Sequence, residues 1–231
     1  MTTILSLDTT SKFASISVSK GDTIQLEYNF ATRDELSASL IPSLEFVLNS
    51  AGLKLHQMDA FGIGVGPGLF TGIRVGLATL KGLLLAERKP IIPVITLEAQ
   101  AYKYIDPSID TVSLIDARRE EVYLAVYHFS PKSKQMEPVL PPELLPYQRL
   151  KERLDPDNRY HFVGSGAEAY KNYIKDHFKQ GKLCQRSFFL ASEICKLAYH
   201  RFKKNDYITD LQQLTPFYLR KPDAEQNLPL L

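Results

Sequence analysis

Several absences narrow what this chain can be. Cysteine is scarce: among 231 residues only Cys184 and Cys195 carry thiols, both in the last quarter. One potential pair in a chain of this size makes no disulfide framework, and two thiols cannot complete a zinc site by themselves. Two reduced thiols, and with them a cytoplasmic location, are the expectation. No apolar run approaches the ~18 residues a membrane-spanning helix needs. The opening Met-Thr-Thr-Ile-Leu-Ser-Leu-Asp has no basic leader, long apolar core or small-residue cleavage site, so no signal peptide is expected. An excess of one charge is missing too. With 28 basic and 26 acidic side chains the net charge is +2, which leaves no general electrostatic footprint for nucleic acid. Lys196, Arg201, Lys203 and Lys204 do cluster. They read first as the solvated end of a helix, whose dipole they complement, with phosphate contact as the alternative.

Grouped histidines are also lacking. His56, His128, His161, His177 and His200 stand apart, with no His-x3-His and no His-Glu-x2-His. A metallohydrolase needs about three protein ligands placed together, so neither metal catalysis nor a cofactor is expected. There is no Gly-x-Ser-x-Gly elbow for acyl transfer either.

What is present is the pattern of an α/β chain, 44% hydrophobic and 23% charged, long enough for one large domain or two small lobes. Ile4 to Asp8 reads as a short buried strand. Ala14 to Val18 and Thr23 to Phe30, joined at Gly21-Asp22, complete a three-stranded opening. Leu36, Leu40, Leu44, Val47, Leu48 and Ala51 share one face of a helix over about 35–51, with Gly52 as its stop and Pro42 as an expected kink. Ala60 to Val65 is a strand, a helix capped by Thr71 runs to about Glu87, and Ile91 to Ile95 is another strand. This alternation predicts a mostly parallel sheet covered on both faces. Beyond residue 100 the theme repeats. Strands over Thr111–Ile115 and Val122–Tyr127 flank Asp116-Ala-Arg-Arg-Glu-Glu121, a mixed cluster read as a self-paired surface, with Arg118 as an alternative anion contact. A proline-rich, loop-like stretch spans 131–156. Phe162-Val163 then leads through Gly164-Ser-Gly-Ala into a helix to about Phe178, and a last helix covers about 190–204 before a tail after Arg220. The division read from this is 1–100 for a first lobe and 101–231 for a second, with the 190–204 helix a candidate to pack back on the first.

Two features bear on chemistry. Gly64-Val-Gly-Pro-Gly-Leu-Phe-Thr-Gly72 sits at a strand–helix junction, where glycines let backbone amides approach an anion. It matches neither dinucleotide nor P-loop spacing, so a structural turn is the competing reading. Asp8, beside Thr9 and Thr10, could hold a hydrated magnesium near a phosphate, or simply close its strand through hydrogen bonds. The helix after the glycines is apolar on two sides: Ile73, Leu77, Leu80 and Leu84 on one, and small Val75, Ala78, Thr79, Gly82 and Ala86 on the other. A helix apolar on both faces is buried on both. Either the 35–51 helix fills the small-residue side, or a second chain does.

Three blocks carry a family resemblance: Ile4-Leu-Ser-Leu-Asp-Thr-Thr, Gly66-Pro-Gly-Leu-Phe-Thr-Gly-Ile-Arg-Val-Gly-Leu-Ala-Thr and Ile115-Asp-Ala-Arg-Arg-Glu-Glu-Val-Tyr, with weaker echoes in Gly164-Ser-Gly-Ala and Pro216-Phe-Tyr-Leu-Arg. In these the chain resembles the TsaB (YeaZ) family. The resemblance implies an actin-like, sugar-kinase-type α/β fold of two RNase-H-like lobes. It also implies a non-catalytic subunit in threonylcarbamoylation of the tRNA adenosine next to the anticodon. Such a subunit pairs with a TsaD-like catalytic subunit, or with itself when alone. A TsaE-like ATPase joins the larger complex, and tRNA is reached through it. Carried over residue by residue, Asp8, Thr9, Gly66 and Gly68 would mark a degenerate nucleotide cleft. Ser37, Leu40, Ile41, Leu44, Arg74, Val75, Ala78, Thr79 and Gly82 would form the interface. Leu69, Glu120 and Leu36-Ser37 stand where the family usually has Ser, often Gly, and in many members His-Ser; these departures bear on the nucleotide cleft more than on docking. The alternative, a stand-alone ATPase, kinase or metallopeptidase-like enzyme, needs a catalytic acid beyond Asp8 and an adenine pocket, neither of which the sequence shows.

Overall fold

The strand β1 (Thr3–Asp8) is buried at every position, because its two faces meet two different helical layers. The computed structural model describes residues 1–31, 36–85 and 88–220. Around β1 a first sheet takes the order β3-β2-β1-β4-β5, built from β2 (Phe13–Lys20), β3 (Thr23–Ala31), β4 (Ala60–Gly66) and β5 (Ile91–Ile95). β2 and β3 run antiparallel, while β4 and β5 are parallel to β1. The second sheet repeats this order with β6 (Asp110–Asp116) at its centre. β7 (Glu121–Ser130) and β8 (Gln135–Pro146) are antiparallel on one side, β9 (Tyr160–Val163) and β10 (Lys182–Cys184) parallel on the other. Two five-stranded sheets of one topology are the pair of RNase-H-like lobes that the resemblance implied. The expectation of a mostly parallel sheet is corrected. Short turns such as that at Gly21 reverse the chain at once, so each lobe opens on an antiparallel meander and only its last two crossovers are parallel.

Helices fill the spaces in layers. α1 (Leu36–Ser50) and α2 (Phe70–Leu84) cover one face of the first sheet, where Leu40, Leu44, Val47, Ile73, Leu77 and Leu80 pack on Leu5, Leu7, Ile16 and Val18. Alternation along β1 turns Ile4 the other way, toward α7 (Ala191–Phe202) and α3 (Thr96–Tyr102). These two helices lie between the sheets, because the same core also contains Tyr123, Ala125 and Tyr127 of β7. The far face of the second sheet carries α4 (Leu150–Arg153), α5 (Ser165–Ala169) and α6 (Lys171–His177).

Three sequence expectations change. Pro42 leaves α1 continuous: it sits on the exposed side, where the lost hydrogen bond is open to water. Gly52, at φ 65°, ends the chain's turn with Leu53 N–H donating to the Leu48 carbonyl at 2.9 Å, a Schellman stop. The proline-rich stretch contains β8, a 12-residue edge strand. An edge strand needs only one side paired, so Pro138, Pro141, Pro142 and Pro146 are tolerated, at the expense of register shifts against β7. α2 begins at Phe70 with Leu69 at its cap, so Thr71 lies inside it and makes no side-chain cap. Its expected end at Glu87 falls outside the described residues, as do Ala86 and the tail after Arg220.

Candidate functional site

The C-terminal end of β1 meets the glycine run after β4. Asp8 is fully buried; its Oδ1 accepts from the Thr10 amide at 3.1 Å and the Thr10 hydroxyl at 2.7 Å. Burial is the largest influence on its carboxyl and pushes its pKa up to about 6, against the opposing pull of the Thr10 bonds. The Thr9 hydroxyl donates to the Gly72 carbonyl at 2.8 Å, and the Leu69 amide donates to the Thr10 carbonyl at 2.7 Å. The approach is so close that a Cβ on Gly68 would stand 2.1 Å from the Thr10 oxygen, and one on Gly72 2.1 Å from the Thr9 oxygen. Gly66, at φ 113°, faces the Phe217 carbonyl, 2.7 Å from where its Cβ would be. Asp8, Thr9, Gly66 and Gly68 are thus gathered into one knot whose hydrogen-bonding groups are largely satisfied within the chain. Close packing of the loop on the Asp8–Thr10 turn accounts for Gly68 and Gly72 without a ligand.

Apart from the family echo at Pro216-Phe-Tyr-Leu-Arg220, no periodicity marks the segment that borders this knot. Residues 206–220 run back along the first lobe: Ile208 exchanges backbone bonds with Ile91 at 2.8 and 2.9 Å, Leu214 is fully buried, and the Phe217 amide donates to the Val65 carbonyl at 2.8 Å. Tyr218 stacks on Phe70 at 5.1 Å, the Arg74 guanidinium lies 3.8 Å from the Phe70 ring centre, and Arg74 Nε donates to the Tyr218 hydroxyl at 3.2 Å. Arg220 then reaches the second lobe, donating to the Ala117 carbonyl at 2.6 Å and pairing with Glu121. The Asp116–Glu121 cluster is therefore joined to the C-terminal segment through Glu121, in addition to bonds within itself from the Arg118 amide to Asp116 Oδ1 at 2.9 Å and from the Glu121 amide to the Arg118 carbonyl at 3.1 Å. Its turn holds Arg118, Arg119 and Glu120 at φ 62°, 55° and 61°, a sparsely populated conformation for residues with side chains.

The residues expected at an interface divide into two sets. Leu40 and Leu44 are core, 0% and 3% exposed. Ser37, Ile41, Arg74, Ala78 and Gly82 are exposed, and Val75 and Thr79 half-buried, on the outward side of α1 and α2. α1 does pack against α2, and Leu40, Leu44, Val47 and Leu48 share one core with Ile73, Leu77, Leu80 and Leu84. A Cβ added to Gly82 would meet nothing within 4 Å.

Of the basic C-terminal cluster, Arg201 is engaged elsewhere: its Nη2 reaches both Glu98 carboxylate oxygens at 2.7 Å. Both cysteines are free thiols, Cys195 buried and Cys184 half-buried. Among the described residues no group of three His, Cys, Asp or Glu side chains converges as metal ligands, and no helix is long and apolar enough to cross a membrane.

Comparison with known proteins gives this geometry a context. The sequence model of the TsaD family, tRNA N6-adenosine threonylcarbamoyltransferase, matches residues 31–228. The tRNA threonylcarbamoyladenosine biosynthesis protein TsaB of Haemophilus influenzae is 26% identical over 98% of this chain and 97% of its own. That of Escherichia coli is 26% identical over 98% of both. The solved structure of YeaZ from Pseudomonas aeruginosa superposes with a TM-score of 0.77 at 25% identity, covering 95% of this chain and 100% of its own. With a family match over most of its length, full-length TsaB relatives and the same two-lobed fold, this chain belongs to the TsaB (YeaZ) family, within the wider TsaD group.

Proposed function

We propose that this chain is an accessory, non-catalytic subunit in the synthesis of threonylcarbamoyladenosine on tRNA. It docks a TsaD-like catalytic subunit through the outer face of α1 and α2, or a second copy of itself when alone. A TsaE-like ATPase joins the larger assembly, and the cytoplasm is its compartment.

The observation that carries this reading is Gly82. Glycine in a helix is about 1 kcal/mol less favourable than alanine, and among the described residues, the neighbouring backbone of its own helix aside, no group lies within 4 Å of the place its side chain would take. Room kept at that expense suits a helix from another protein, whose backbone can approach closely over Ala78 and Gly82. Ile41, 47% exposed on α1, supplies an apolar neighbour, and Arg74, fixed between Phe70 and Tyr218, sets a cation at the edge. The names of the TsaB relatives support the pathway. Asp8, Thr9, Gly66 and Gly68 are read as a degenerate phosphate cleft, since the Leu69 amide and the Thr9 hydroxyl are spent on the chain itself.

The test is synthesis of modified tRNA from separately made threonylcarbamoyl-adenylate, with TsaD-like and TsaE-like subunits and ATP, with and without this chain, alongside native mass spectrometry. Activity is expected to require the chain. Gly82→Leu is expected to abolish both the complex and the activity while the melting temperature of the free chain holds. Undiminished activity without the chain would overturn the reading.

A further inference from the structure

A second feature lies away from both the Asp8 knot and the α1–α2 face. A trough of about 720 Å³ is bounded by the β2–β3 turn and α7 on one side and by β9, β10 and the segment after α3 on the other. Through Asp106, His161 and Lys182 it continues into a smaller depression of about 280 Å³ that is lined by Arg159. Besides Lys103, which pairs with Glu193, four cations border this path from four separate places in the chain: Arg159 before β9, Lys182 on β10, Arg186 after it and Lys196 on α7.

Three carboxylates, Asp22, Asp106 and Glu193, border the same path, against five cations. Asp22 faces His200 at 3.4 Å, Glu193 faces Lys103 at 3.4 Å, and Asp106 accepts from the Ser108 amide and hydroxyl at 2.9 and 2.7 Å. Among the described residues, no carboxylate lies within ion-pair distance of Arg159, Lys182 or Lys196. Arg186 spends one nitrogen on the Lys103 carbonyl at 2.7 Å, with its guanidinium 5.0 Å from the centre of the Tyr104 ring. The trough therefore combines unpaired cations strung along its length with an aromatic ring and an imidazole in its wall.

We propose that this trough takes the phosphate backbone of an RNA strand. A compact anion would be met by cations converging on one point; here they follow an extended path. Backbone-tracking sites for single-stranded nucleic acid combine such a path with ring surfaces. Sequence gives no sign of it, because the four cations are spread over residues 159 to 196. The inference rests on the proposed role only in the choice of tRNA as the probe.

The experiment is fluorescence anisotropy of a labelled, unmodified tRNA transcript titrated with the full chain across a salt series. Four phosphate contacts give a log–log salt slope of about −3. The triple variant Arg159→Glu, Lys182→Glu, Lys196→Glu is expected to lose more than tenfold in affinity at low salt. Lys182→Glu alone should lose several-fold, and Lys203→Glu, at the exposed end of α7 and outside the trough, should stay within twofold. Polyglutamate and magnesium-ATP serve as competitors. Affinity unchanged in the triple and single variants, or displacement of tRNA as readily by polyglutamate or ATP as by unlabelled RNA at equal charge, overturns the proposal. Native mass spectra of the triple variant with the catalytic subunit keep the two ideas apart. An intact complex with unchanged RNA affinity sinks the trough alone, and loss of RNA affinity in a chain that never forms a complex sinks the docking role alone.

Discussion

Asp8 is bound twice by Thr10, through the amide at 3.1 Å and the hydroxyl at 2.7 Å, and both bonds fall on Oδ1. Oδ2, buried beside it, meets no hydrogen-bond partner among the described residues. One half of the carboxylate is satisfied while the other is stripped of water, and burial lifts its pKa from 3.8 to about 6. Between those values the folded state holds more protons at this site than the unfolded chain. Stability from Asp8 is therefore fully present below the window and falls as pH rises through it. A shift of this size corresponds to about 3 kcal/mol. Asp8→Asn cannot titrate and carries whatever penalty it has at every pH. In urea unfolding, wild type should gain on the variant by roughly that amount between about pH 8 and pH 4. Parallel stability profiles would show that Asp8 is not the group titrating.

The same substitution should act in opposite directions at two glycines, one in the loop before α2 and one inside it. At Gly68 an added methyl would stand 2.1 Å from the Thr10 carbonyl oxygen, so the loop or the turn must move. Gly68→Ala is expected to destabilise by about 1–3 kcal/mol, the range for overpacking a tight site. At Gly82 the methyl meets nothing, and alanine restores helix propensity. Gly82→Ala should raise the stability of the free chain by about 0.5–1 kcal/mol. Thermal melts of both variants decide it. A loss at Gly82 would mean that the small-residue side of α2 is already covered in the isolated chain.

The first lobe was legible because its elements are periodic. The Leu40, Leu44, Val47 stripe and the Ile73, Leu77, Leu80, Leu84 stripe read directly as the buried faces they are. α3 was not legible: all seven of its residues are buried between the two sheets, so it shows no contrast between a wet and a dry face. β8 reads as loop in the sequence because proline counts against strands, a rule that holds for central strands and lapses at an edge. The glycine motif was visible, but its packing partner was not, since Thr9 and Thr10 precede it by about sixty residues, and only the close approach shows that these glycines serve contact. Tyr218 and Arg220 fared likewise, acting through Phe70, Arg74, Ala117 and Glu121 far back in the chain.

Arg201 shows how far a charged residue's role can depart from its place in a basic run. It reaches across from α7 to α3, where both Glu98 oxygens accept from it at 2.7 Å, and it donates to the Pro93 carbonyl at 3.1 Å. Glu98 is only 6% exposed in its side chain, and burial raises its pKa despite the opposing pull of Arg201. Removing the arginine leaves a carboxylate with neither water nor cation. Arg201→Ala should cost about 3 kcal/mol at neutral pH, whereas Arg201→Met with Glu98→Leu, which removes both charges, should recover most of it. Without its cation Glu98 titrates still higher, so the deficit of Arg201→Ala should shrink as the pH falls and the orphaned carboxyl takes a proton. Urea unfolding at about pH 5 and pH 8 reads this directly. An equal deficit at both values would assign the loss to packing of the arginine stem, and not to the buried charge of Glu98.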